Sequence, residues 1–124
     1  MKIYKCNLCG NTLIVLNDAG ITPVCCGQEM EIINCNNDDS ASTEKHVPIY
    51  EQDGNKVIVY VGKTLHPSLE NHYIDWIEVE TDHSSYRRKL KWSDFPTATF
   101  HLNDDEKVVN IYAYCNIHGL WKMK

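Results

Sequence analysis

The sequence lacks any long apolar run: its hydrophobic residues, 43% of 124, fall in short stretches, none near membrane-spanning length. It lacks a basic cluster too. With a formal net charge of -5 and its 12 Lys and Arg dispersed, it carries no electrostatic footprint for nucleic acid. The start, Met1-Lys2-Ile3-Tyr4-Lys5-Cys6, has no apolar signal-peptide core, so the expected location is the cytoplasm. No helical periodicity of convincing length is present. What the chain does have is six cysteines and six histidines. In a reducing compartment, cysteines in that number suit metal ligation better than disulfides.

The first cysteines form a recognisable pattern. Cys6-Asn7-Leu8-Cys9-Gly10 is a CxxC followed by glycine, and Cys25-Cys26-Gly27 follows fifteen residues later. Four thiolates from such pairs can surround one tetrahedral ion, and the glycines permit tight turns with amides facing sulfur. Thr12–Leu16 reads as a short strand and Asn17-Asp18-Ala19-Gly20 as a turn. So small a segment buries little core, and a metal cross-link is the expected remedy. Adjacent residues of extended chain point to opposite sides, so Cys25 and Cys26 share an ion only where the backbone bends. Iron, structural zinc and a redox dithiol all remain open on this spacing. Cys35 has no partner left and reads as a free thiol without a role.

Asn36-Asn37-Asp38-Asp39-Ser40-Ala41-Ser42-Thr43 is polar, small and aperiodic, the best boundary in the chain. It divides a domain at 1–36 from one at 46–124, with 37–45 as linker. Beyond it the pattern is all-β. Candidate strands are His46–Glu51, Val57–Val61, Tyr73–Glu80, Tyr86–Trp92, Thr97–Leu102, Val108–Cys115 and Gly119–Met123. Short strands at turn-punctuated spacing favour a β-sandwich.

Within that domain, Cys115-Asn116-Ile117-His118-Gly119 places a thiol and an imidazole on one turn, donors for iron, zinc or copper. Alone the pair says little, because cysteine is often a small core hydrophobe. His46, in Glu44-Lys45-His46-Val47-Pro48, and His66 and His72, in the segment from Leu65 to Trp76, supply three more imidazoles. Pro67 disfavours helix at His66, and loops at one end of a sandwich are where ligands converge. Four imidazoles and one thiolate would leave one position open on a six-coordinate ion. Such a set suits ferrous iron better than calcium or magnesium. The site would carry about one positive charge, and Lys45 would help steer an anion into it. His83, in a turn, and His101, in a strand without a motif, read as ordinary.

CxxC–x15–CC, EKHVP, HPxLENHYIDWI and CNIHGLW, in this order over essentially the whole chain, resemble desulfoferrodoxin, the two-iron form of superoxide reductase. The resemblance implies a desulforedoxin-like domain whose rubredoxin-like iron is held by Cys6, Cys9, Cys25 and Cys26. It implies a second iron in an immunoglobulin-like β-sandwich, with His46, His66, His72 and His118 equatorial and Cys115 axial. Glu44 matches the glutamate that can fill the sixth position in the ferric state, and Lys45 the lysine that aids anion binding and protonation.

The implied activity is one-electron reduction of superoxide to hydrogen peroxide, with re-reduction by rubredoxin or a similar small electron-transfer protein. A homodimer is also implied. The rival readings are a zinc-stapled binding module, a plain electron shuttle and a dismutase.

Overall fold

The computed structural model describes residues 1–40 and 45–124, and among these there is no helix. The chain forms two compact units, Met1–Asn34 and Cys35–Lys124. The first holds five short strands: Ile3–Lys5 (β1), Thr12–Ile14 (β2), Val24–Cys25 (β3), Gln28–Glu29 (β4) and Glu31–Ile32 (β5). Strand β1 pairs antiparallel with β2 on one side and β5 on the other. β3 and β4 form a separate hairpin whose two turn residues are Cys26 and Gly27. Both have positive φ, 53° and 75°, the combination that matches the twist of a two-residue hairpin. The core of this unit is small: Tyr4, Cys6 and Met30, with Val15 and Cys25 against them.

The second unit contains Cys35–Asn36 (β6), Pro48–Asp53 (β7), Lys56–Val61 (β8), Ile74–Thr81 (β9), Ser85–Lys89 (β10), Thr97–His101 (β11), Val108–Cys115 (β12) and Gly119–Lys122 (β13). They make a five-stranded sheet, β10-β9-β12-β13-β6, and a three-stranded sheet, β11-β8-β7. Alternation along the strands turns one face of each sheet inward. Val57, Val59 and Val61 of β8, with Ala98 and Phe100 of β11, meet Ile77 and Val79 of β9 and Ile111, Ala113 and Cys115 of β12. This shared core makes the unit a β-sandwich. Each fully buried aliphatic side chain contributes roughly 1.5–3 kcal/mol, so the unit has an apolar interior of its own.

Several boundaries differ from those read in the sequence. The units divide after Asn34 rather than Asn36, because Cys35 and Asn36 pair in parallel with Leu120 and Trp121 of β13. Cys35 therefore serves the large sheet through its backbone. The strand expected from His46 begins at Pro48, since the His46 and Val47 amides bond to the Asp39 carboxylate instead of a ladder. The strand expected to reach Trp92 stops at Lys89, where Lys91 donates its amide to the Asp94 side chain in a turn. The strand expected over Thr12–Leu16 ends at Ile14.

Candidate metal centres

In the first unit, the sulfurs of Cys6, Cys9, Cys25 and Cys26 all lie within 4.8 Å of one another. Local turns put them there. Gly10 N donates to Cys6 O (2.9 Å), Cys6 N to Asn11 O (2.8 Å), and Asn11 N to Cys9 Sγ (3.4 Å). The left-handed backbone at Cys26 is the bend that brings its sulfur to the same side as that of Cys25, 4.0 Å away. Amides of Cys9 and Leu8 draw the Cys6 thiol down to about 6, whereas contacts with the sulfurs of Cys9 and Cys6 push Cys25 up to about 12. Four sulfurs so close cannot all ionise without a cation among them, and that is the chemistry of a thiolate metal site.

In the second unit, His46, His66, His72, His118 and Cys115 each present one ligand atom within 4.8 Å of every other. The four imidazoles form a closed ring. Neighbouring centroids stand 4.7 Å (His46–His66), 4.6 Å (His66–His72), 5.1 Å (His72–His118) and 4.8 Å (His118–His46) apart. Cys115 Sγ lies 3.4 Å from His66 Nε2 and 3.8 Å from His118 Nδ1. His46 Nε2 and His118 Nδ1 are 3.1 Å apart. Two nitrogens each about 2.1 Å from one ion, at right angles, would be separated by about 3.0 Å. His72 Nε2 is buried with no hydrogen-bond partner among the described residues, an arrangement that a metal relieves. The donor set fits one ion.

Each ligand is held from behind. His66 Nδ1 donates to Pro67 O (2.8 Å), which leaves its Nε2 with the lone pair facing Cys115. Asn116 ties the turn carrying Cys115 and His118 to the segment carrying His72. Its amide donates to Tyr73 O (3.1 Å), its Oδ1 accepts from Tyr73 N (2.8 Å), and its Nδ2 donates to Asn71 O (3.0 Å). Trp121 stacks on the His46 ring at 4.5 Å, and its Nε1 donates to His118 O (3.1 Å). Asp39 Oδ2 accepts from the amides of His46 (2.7 Å) and Val47 (2.9 Å).

The family model described as Desulfoferrodoxin matches residues 38–124, and that of the Desulfoferrodoxin N-terminal domain matches residues 1–33. The chain belongs to the desulfoferrodoxin family. A desulfoferrodoxin homolog of Archaeoglobus fulgidus is 47% identical, covering 98% of this chain and 95% of that protein. The superoxide reductase of Treponema pallidum is structurally similar (TM-score 0.81, 27% identical, 99% of this chain, 96% of that one). A superoxide reductase from Giardia intestinalis, described as 1Fe-SOR, is 33% identical, with TM-score 0.56 over 64% of this chain and 95% of that one. As a desulfoferrodoxin, the chain has two iron sites, the four-cysteine group and the group of four histidines with Cys115.

Of the other residues singled out in the desulfoferrodoxin sequence, Glu44 lies outside the described residues. Lys45 is half-buried, and its Nζ donates to Asp39 O (3.1 Å). It lines a groove shared with Lys63 and Lys124. His83 pairs loosely with Asp82 at 3.7 Å, and His101 closes β11; neither joins a donor group. Asp39 was missed in the sequence because it sits in the polar run that reads as linker. Burial alone would raise its carboxyl, but the Val47 and His46 amides, with Lys45 nearby, bring it below the usual carboxylate value. Gly62 also escaped notice. It adopts φ +85°, its amide donates to Val47 O (3.2 Å), and a Cβ there would stand 2.6 Å from the Lys45 and Thr64 carbonyl oxygens.

Proposed function

We propose that this desulfoferrodoxin is a superoxide reductase, converting superoxide to hydrogen peroxide with one electron and two protons. The observation that carries this reading is the ring of four imidazoles closed over the buried Cys115 sulfur, with His118 exposed on its outer side. The names carried by the Treponema and Giardia structures support it. Ferrous iron, when bound, supplies the electron and an open position for a small anion.

The chain's own residues do the rest. His66, His72, His46 and His118 offer neutral nitrogens that leave the site net positive once Cys115 is a thiolate, which favours superoxide over neutral competitors. Buried beneath them, Cys115 would push electron density toward the ion and favour its oxidised state. Lys45, in the groove with Lys63 and Lys124, would attract the anion and assist its protonation. Glu44 is assigned the family role of filling the open position in the ferric resting state.

The wider reading includes rubredoxin or a similar small electron carrier as donor, with the four-cysteine iron as a relay. A cytoplasmic location accords with six cysteines none of which forms a disulfide among the described residues. A homodimer accords with the first unit's small core and with exposed Leu8, Leu16, Ile21 and Val24. The test is anaerobic purification with iron and zinc counts, followed by peroxide yield per superoxide consumed. Two irons per chain and one peroxide for each superoxide are expected. Dioxygen evolution would indicate a dismutase, and a colourless single-zinc protein a binding module.

A further inference from the structure

We propose that Asp39 is the positioning residue for the histidine–cysteine centre, holding the backbone that delivers His46 and the carbonyl on which Lys45 rests. The inference rests on the superoxide reductase reading, since it takes that group to hold iron.

The need arises from the fold. His46 is buried at 2% exposure, yet it lies outside β7, which starts at Pro48. Its amide and that of Val47 therefore have no ladder to donate to. Proline at 48 cannot extend one, having no N–H of its own. A buried amide without an acceptor is costly, so this stretch would not hold one backbone position unaided. Asp39 answers both amides with a single oxygen, Oδ2, at 2.7 and 2.9 Å. From the other side, the Val47 carbonyl accepts from Gly62 N at 3.2 Å. The backbone on either side of the His46 peptide is thus fixed, and its imidazole enters the ring of ligands in one orientation, stacked on Trp121. The main-chain carbonyl of the same Asp39 accepts from Lys45 Nζ. One residue thereby sets the place of a ligand and the resting place of the steering ammonium.

Because both amides donate to one oxygen, a neutral amide oxygen can replace the carboxylate, but a hydrocarbon cannot. The experiment uses the full chain with both irons. Iron retention at the second site is measured by chelator competition, and the ferric thiolate absorption is recorded, with thermal melting followed by the fluorescence of Trp76, Trp92 and Trp121, all in the second unit, as internal evidence of folding. Asp39→Leu is expected to weaken iron retention about tenfold or more and to shift the thiolate band, as losses behind metal ligands do. Asp39→Asn is expected to stay within about threefold of the wild type. Wild-type retention and an unmoved band in Asp39→Leu would overturn the proposal, as would an Asn variant as weak as the Leu variant. Should Asp39→Leu not fold, Asp39→Ala, which admits water to the amides, decides the same question by the same two criteria. A wild-type chain without iron at the second site would instead overturn the functional reading on which the inference rests.

Discussion

The two metal groups of this chain are built in opposite ways. The four cysteines lie between positions 6 and 26, and their geometry comes from turns a few residues long. The histidine–cysteine group draws on positions 46 to 118, and its members meet only because a sandwich has first brought loops and strand ends together. Closing long loops costs entropy that local turns avoid. The sandwich meets that cost with its own apolar core, from Val57 to Cys115, whereas the first unit has four buried side chains, Ile3, Tyr4, Cys6 and Met30. In one unit the metal makes the fold; in the other the fold makes the metal site.

Cys115→Ser should separate the two groups most sharply. It removes the only thiol in the histidine ring, so superoxide reduction should fall on the order of a hundredfold or more while the four-cysteine chromophore persists. A variant with normal turnover would show that Cys115 is not a ligand. Cys9→Ser should do the reverse. The first unit should lose its metal and its cooperative structure, because metal affinity in so small a unit is folding energy. Iron in the second site and peroxide formation should survive. Simultaneous loss of both irons would break the contrast.

Lys45→Ala bears only on the second group. Superoxide capture should slow about tenfold and lose part of its dependence on ionic strength, read by fast mixing at several salt concentrations. An unchanged rate and salt profile would remove Lys45 from the mechanism.

The smallest effect is expected from acid. Glu106 accepts hydrogen bonds from the Ser84 and Tyr86 hydroxyls and the Asn103 amide, which hold its carboxyl below the ordinary value of 4.5. The ionised form is thus favoured in the folded chain, so its contribution is complete above the ordinary value and fades as pH falls through the lowered one. Glu106→Gln should leave the second unit slightly less stable at neutral pH and flatten its loss of stability below about pH 4.5. Parallel melting curves for variant and wild type across that range would disprove the role.

The asymmetry between the groups also governs what could be read beforehand. Local ligands announce themselves: CxxC and CC carry their glycines beside them, and the bend required at Cys26 appears as its positive φ. The distant ligands were legible only through the resemblance of four motifs, since nothing in their spacing alone brings His46 to His118. The strands of the sandwich were legible where β-branched residues run together, as over Val57–Val61, where burial alternates along the strand. Backbone commitments were not. β6 is too short to show a period, and Asp39 looks like any residue of a polar linker, because a side chain's acceptance of two amides leaves no mark on composition. The Ser84–Glu106–Tyr86 cluster was hidden for the same reason, joining residues from separate turns and strands.

Gly62 carries a consequence for how such a chain can drift. Its missing side chain is the space in which the Lys45 carbonyl lies, and its backbone turns in a direction that other amino acids resist. Every change to another amino acid here would press on the peptide just ahead of His46. The chain's freedom to evolve is thus narrow even at a residue that performs no chemistry.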